Sequence, residues 1–134
     1  MIQLTNTAAQ VVQPGQIVTF NQVSLHSGCG ECYRQGTHSV KLRANGIYKV
    51  EFSGNIASDT ADTPVQLAIA LGGFPMAETV MVSTPSAANA YNNVSTGTYI
   101  RNCCGDFDRI TVMNSGTVPV LLSANMNLRI ERRS

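Results

Sequence analysis

Between Val118 and Ile130 the chain alternates without a break. Val118, Val120, Leu122, Ala124, Met126, Leu128 and Ile130 are interleaved with Pro119, Leu121, Ser123, Asn125, Asn127, Arg129 and Glu131. Successive side chains on a strand point to opposite faces, so this spacing predicts one long strand with a single apolar face, which no helix could assemble. Other runs keep the same period. Tyr48, Val50 and Phe52 alternate with Lys49 and Glu51 and continue through Asn55-Ile56-Ala57. Val65, Leu67, Ile69 and Leu71 alternate with Gln66, Ala68 and Ala70, a pattern that fits a strand covered on both faces. Ile110-Thr111-Val112-Met113 is short and β-branched. Asn45-Gly46 carries a hairpin signal between Val40-Lys41-Leu42-Arg43 and Ile47 onward. Leu71 to Pro75 and Asn114 to Thr117 read as turns, and Pro85 to Asn89 as a loop. Short strands with turn signals about every 8–12 residues predict an all-β sandwich or barrel.

The 134 residues make one domain, 1–134, large enough to hold a core without a metal or a disulfide. Hydrophobic residues make up 43% and charged residues 13%, with a net charge of +1, which excludes a disordered chain. Nine basic residues face eight acidic ones, so there is no basic surplus of the kind a nucleic-acid binder needs. No apolar run reaches the roughly 18 residues of a membrane span. Met1 to Asn6 has neither the cationic start nor the apolar block of a signal peptide, so the expectation is synthesis in the cytosol. No repeat, low-complexity tract or composition shift marks a boundary.

In order, Pro14 to Phe20 as an early strand, Val40 to Phe52 with its "Gly-Ile-Tyr, polar, Val, polar, Phe" core, Val65 to Pro75 as the next hairpin, Gly105 to Val112 and the final run to Arg132 resemble the jelly roll shared by tumour necrosis factor and complement C1q heads. The resemblance spans nearly the whole chain and fits best the bacterial and phage branch, with the terminal domains of collagen-like spore-surface proteins and phage virion proteins. It implies about eight to ten antiparallel strands in a sandwich and a homotrimer in which one sheet faces a threefold axis. It makes Val40 to Phe52 the central hairpin and puts the second face of the Val118–Ile130 strand (Leu121, Ser123, Asn125, Asn127) near that axis. The receptor-binding loops of the tumour necrosis factor branch have no match here.

Four cysteines are the most specific feature: Cys29-Gly30-Glu31-Cys32 and the adjacent Cys103-Cys104. In the resembled topology the two pairs sit at one end of the sandwich. Disulfides between them, a zinc site on Cys29, Cys32, Cys103 and Cys104, and inert thiols all stay open. Adjacent cysteines seldom both face one ion, which counts against zinc, and Cys-x-x-Cys here does not open a helix of a thioredoxin-type unit. His26 and His38 lie near the first pair as further ligand candidates, against a reading as exposed loop histidines. Asp106 and Asp108 are too few for calcium, and Asn93-Val94-Ser95 is a glycosylation sequon by pattern only.

No catalytic set stands out: there is no Gly-x-Ser-x-Gly, no His-Glu-x-x-His and no phosphate-cradling loop. A Cys29–His38 pair lacks a third, orienting group. The basic end, Arg129 to Ser134, reads as a solvated strand end or as a contact with an acidic neighbour. The leading expectation is a non-enzymatic virion protein without cofactor: a homotrimeric phage capsid decoration or head-fibre protein that contacts the capsid shell, made in the bacterial cytoplasm and carried on the particle. Few charges and only two lysines suit a surface partly buried against partners, and with Met1 opening directly on the domain and no attachment segment typical of a fibre tip, decoration is the preferred expectation. A tail or fibre adsorption module, with a host-surface glycan as partner, is the alternative. A soluble carbohydrate-binding sandwich is another, but it sits poorly with the absence of Trp and with Tyr33, Tyr91 and Tyr99 as the only tyrosines outside the central hairpin. If Cys29 and Cys32 bridge to Cys103 and Cys104, intact mass should rise on reduction and alkylation by four thiols, and oxidation should raise the melting temperature. One bound zinc per chain would reject the bridges.

Overall fold

The computed structural model describes residues 1–27, 31–33, 36–102 and 109–133, with 31–33 described in the backbone alone. The strands are β1 (Ile2–Thr5), β2 (Gln10–Val12), β3 (Gln22–His26), β4 (Glu31–Tyr33), β5 (Val40–Leu42), β6 (Gly46–Ala57) and β7 (Val65–Leu71), then β8 (Phe74–Pro75), β9 (Met81–Ser83), β10 (Asn92–Asn102), β11 (Arg109–Met113), β12 (Val120–Leu122) and β13 (Asn127–Arg132). One 3-10 turn, Ala77–Thr79, separates β8 from β9. The strands form two antiparallel sheets, the all-β sandwich that the alternation predicts.

The larger sheet is organised on β6. One edge of β6 pairs with β10 from Asn92↔Ile56 to Asn102↔Gly46. The other edge takes β12 and β13 end to end, flanked in turn by β2 and β1, with β3 outermost. The smaller sheet runs β4-β5-β11-β7, with β8 and β9 along the far side of β7. Broken strands that share a column leave five columns per sheet, which reconciles thirteen segments among the described residues with the eight to ten strands expected.

Alternation decides what is buried. Tyr48, Val50 and Phe52 on β6 point between the sheets and are fully buried, while Lys49 and Glu51 point out. Leu128 and Ile130 on β13 and Ile110 and Val112 on β11 do the same from other columns. On β7, Ala68 and Ala70 are as buried as Leu67 and Ile69, so both of its faces are covered, as the sequence suggests. Tyr48 keeps its one polar atom satisfied by donating its hydroxyl to the Ala44 carbonyl at 2.7 Å.

Three expectations need correction. The run from Val118 to Ile130 is two strands, because the chain leaves the ladder at 123–126. There Asn125 takes a positive φ of 67° and donates its N–H to the Asn6 carbonyl at 2.7 Å. The inward face survives the break because Leu122 and Met126 both close over Gly54, a buried position of β6 without a side chain. A Cβ at Gly54 would lie 3.0 Å from the Met126 Cβ. Asn45-Gly46 does not join a hairpin either. β5 belongs to the smaller sheet and β6 to the larger, so this corner carries the chain across the sandwich, held by Asn102 Nδ2 donating to the Leu42 and Ala44 carbonyls. Pro14 to Phe20 is not a strand. It touches β11 through one bridge, Ile17↔Met113, and the Val18 N–H to Val112 carbonyl bond, because Pro14-Gly15 turns the chain beforehand.

Truncating Tyr48 or Phe52 to Ala should cost about 3–5 kcal/mol in urea unfolding, while Lys49→Ala should stay within roughly 0.5 kcal/mol. Gly54→Ala should cost about 1–3 kcal/mol through overpacking against Met126. A reversed ranking would place β6 one residue out of register.

Candidate functional site

The outward positions of β10, β6 and β13 line up as cross-strand rows. Tyr99 lies beside Lys49 and Glu131, Gly97 beside Glu51 and Arg129, and Ser95 beside Ser53 and Asn127. Cation and anion thus alternate along and across the two charged strands. Lys49 Nζ sits 2.9 Å from Glu51 Oε1, and Arg133 Nη1 sits 3.5 Å from Glu131 Oε1. Gly97 is what turns this face into a cleft. A Cβ there would come within 3.3 Å of the Glu51 Cγ, so glycine leaves Glu51 room and leaves a dip beside it. The cleft holds about 540 Å³ and is walled by Tyr99, whose side is 61% exposed, and floored by Glu51 and Arg129.

The electrostatics follow from these neighbours. The Lys49 hydrogen bond, helped by the charges of Lys49 and Arg129, holds the Glu51 carboxyl below the ordinary carboxylate range against the opposing effect of desolvation. The same bond and the Glu51 charge raise the Lys49 ammonium. Arg129 Nε is shielded from solvent and has no hydrogen-bond partner, although Arg129 stands on the outer face of the sheet. A shielded, unpaired N–H on a groove floor is a group that a further polar surface would satisfy. No side chain here is arranged as nucleophile and base. The chemistry this surface offers is recognition by alternating charge, one exposed aromatic ring and a hollow.

The residues singled out by sequence fall elsewhere. Cys29, Cys103, Cys104, Asp106 and Asp108 lie outside the described residues, as does the Cys32 side chain, and the disulfide and zinc readings with them. The Cys32 backbone lies in β4 opposite Lys41. Of the described flanks, Glu31 pairs with Leu42, and Asn102 bonds the Leu42 carbonyl. His26 ends β3 at the exposed edge. His38 is no free loop histidine: it is half-buried at a positive φ of 54°, and its Nδ1 accepts the Phe20 N–H at 3.1 Å. Among the described residues no three metal-binding side chains converge, and no helix is long and apolar enough to cross a membrane. Asn93 of the sequon is exposed on β10 and bonds Asn55 across the ladder. The basic end is tied down rather than loose: Arg132 donates to the Asn45 carbonyl, and the Arg133 N–H to the Ile47 carbonyl at 2.7 Å.

Sequence reasoning missed β10 altogether, and with it Gly97 and Tyr99. The signal was there as Val94, Thr96, Thr98 and Ile100 on alternate positions, but two of those four are threonines and a glycine stands between them.

No family model and no curated protein matches the chain by sequence. Solved structures do match. Murine APRIL at pH 5.0 superposes with a TM-score of 0.67 at 19% identity, over 98% of this chain and 97% of that one. The globular domain of zebrafish complement 1qA gives 0.69 at 14% identity, over 99% and 98%. Eiger TNF from S. frugiperda gives 0.69 at 14%, over 99% and 91%. The fold is therefore the TNF/C1q-like jelly roll, over nearly the whole chain.

The Glu51 pair gives a direct check. Followed by carboxyl-detected NMR, Glu51 should titrate below 4.5, and Lys49→Met should move it up. A carboxyl with a lowered pKa stabilises the fold above its unfolded value, and that contribution is lost as pH falls through the folded value. With both side chains more than a third exposed, the effect on stability should be slight.

Proposed function

We propose that this jelly roll is a non-enzymatic, self-associating structural module, a homotrimer that decorates a phage capsid, and that the outer face of its larger sheet is where the copies meet. The alternating patch of Lys49, Glu51, Arg129 and Glu131 around the Gly97 cleft carries the reading. Around a threefold axis a patch that alternates in sign lets a cation of one copy face an anion of the next, whereas a patch of one sign would repel its copies. The shielded, unpartnered Arg129 Nε fits a surface completed by a neighbour. The jelly-roll fold supports the same assembly, since trimer formation is what the sequence resemblance implies.

The virion assignment draws on the sequence. Thirteen per cent charged residues and two lysines suit a domain that buries much of its surface against partners. The exposed Val80, Val82 and Tyr91 are apolar surface outside the patch, available to a shell protein. An adsorption module on a tail or fibre uses the same trimer at another place on the particle.

Sedimentation of the purified chain at micromolar concentration should give a trimer, and Glu51→Arg, which sets three cations side by side, should shift it to a monomer that keeps its β-sheet circular dichroism and melts lower by the contribution of assembly. A monomeric wild-type chain would reject the assembly. Mass spectrometry of purified particles should find the polypeptide, and its absence would reject the virion role. Labelling those particles with antibody and imaging them separates head from tail.

A further inference from the structure

We infer that the outer face of the smaller sheet holds a second, separate site, built to bind a small hydroxylated carboxylate of the hexuronic-acid type. Arg109 and Thr111 alternate with the inward Ile110 and Val112, so both project from this outer face. The register that sets Lys41 against Arg109 and Val40 against Ile110 brings Ser39 opposite Thr111. On the other side, the turn after β7 places Gly72 and Gly73 next to Arg109, with the Gly72 N–H donating to the Arg109 carbonyl at 2.9 Å. Lys41 flanks the arginine on the β5 side, but towards Gly72 and Ser39 its neighbours are small, and there the sheet face sinks into a depression of about 410 Å³ that Ile17 and Thr37 border. That is within the size range of small-molecule sites, about 300–1,000 Å³.

The polar groups of this depression are held in place. Ser39 is 8% exposed and its Oγ accepts from Arg109 Nη1 at 3.3 Å, which fixes the guanidinium at one corner. Among the described residues Arg109 makes no ion pair, so its outer N–H groups are open to an acceptor. Thr111 is 9% exposed, and its hydroxyl is shielded without a hydrogen-bond partner. A buried hydroxyl left unpaired costs free energy that an arriving hydroxyl recovers. Nothing in the packing of the sandwich requires an orphan hydroxyl here: valine would fill the same volume.

The ligand class follows from the donors. A planar guanidinium with free N–H groups matches a carboxylate two-for-two. The Thr111 hydroxyl asks for a hydroxyl partner, and Ile17 offers an apolar surface to the C–H face of a ring. Gly72 and Gly73, at φ 61° and 89° with nothing within 4 Å of where a Cβ would stand, let a ring approach the backbone. A sugar ring carrying a carboxylate supplies all of these at once, whereas glucose lacks the charge and acetate lacks the ring and hydroxyls. The site shares no residue with the Lys49–Arg129 cleft and does not depend on the assembly proposed there.

Titration of the uniformly labelled full chain with sodium glucuronate, glucose and sodium acetate, read by amide NMR, tests the inference. Glucuronate should shift the amides of Ser39, Gly72, Gly73 and Thr111 and bind at least about tenfold tighter than glucose, the loss expected from removing one charge-assisted pair, and tighter than acetate, which lacks the ring and its hydroxyls. Arg109→Gln should abolish the difference between glucuronate and glucose while leaving the melting temperature unchanged. Thr111→Val should raise the melting temperature and weaken glucuronate binding, a combination that a purely structural threonine would not give. Shifts that are absent, that map to the Gly97 cleft, or that are the same for all three solutes would overturn the site. So would glucuronate binding that survives Arg109→Gln.

Discussion

The register of β6 is the constraint on which the rest of the structure depends. It pairs with β10 over eleven consecutive positions on one side and with β13 and β12 on the other, so three strands take their facing from it. Its inward set, Tyr48, Val50, Phe52 and Ile56, is the middle of the core. Because side chains repeat every two residues, a slip by one would turn Lys49 and Glu51 inward and Tyr48 and Phe52 outward, on β6 and on each strand registered to it. The cost of burying two unpaired charges in place of two aromatic rings excludes that alternative. The same register that makes the core therefore also builds the candidate face: Tyr99, Gly97 and Ser95 lie next to Lys49, Glu51 and Ser53 because Ile100 and Val94 must point in.

A second class of constraint is polar and sits where strands end. Asn114, 1% exposed, donates from Nδ2 to the carbonyls of Val12 and Val118 and accepts the Gly116 N–H at Oδ1, so one side chain joins three segments. Asn102 does similar work at the opposite corner, bonding both carbonyls where the chain leaves β5 for β6. Chain ends that leave a ladder carry backbone groups with no strand partner, and buried backbone groups are nearly always paired. Short amides meet that need without adding bulk, which explains the scatter of asparagines along a sequence otherwise poor in charge.

How much of this was legible in the sequence depends on which force fixed each element. β6, β7 and β11 were readable because the core dictates their pattern, and the β7–β8 hairpin because Gly72-Gly73 supplies the turn. The corner at Asn45-Gly46 was misread since a tight turn between two strands looks the same whether the strands share a sheet or face each other across one. The break at 123–126 was hidden because it keeps even parity: Leu122 and Met126 stay inward, so the alternation runs through it unchanged. Of the binding surface, Lys49, Glu51 and Arg129 were visible as polar positions on strands, but what pairs them was not. Cross-strand neighbours are distant in sequence, and the threonine-rich β10 that completes the cleft shows little contrast between its two faces.

A sandwich separates the demands of folding from those of recognition. Inward positions are constrained by packing to near-crystalline density, while outward positions on the same strands are free of that demand. Here each outer face has been used differently. On the larger sheet a glycine opposite a glutamate opens a hollow in a field of alternating charge, and two of the four charges stand on the central strand. On the smaller sheet serine and paired glycines lower the surface around a single arginine, and a threonine hydroxyl is left without a partner at the base. Neither arrangement adds to the core, and the orphan polar atoms Arg129 Nε and Thr111 Oγ1 each detract from stability in the isolated chain. Asn102 Oδ1 is a third such atom among the described residues and stands at the β5–β6 corner, whereas Arg129 Nε and Thr111 Oγ1 belong to residues that line hollows on opposite faces of the sandwich. With the two sets on different sheets and sharing no partner, substitutions in one should act independently of the other, so the face proposed to assemble copies and the face proposed to bind a small solute can be altered one at a time.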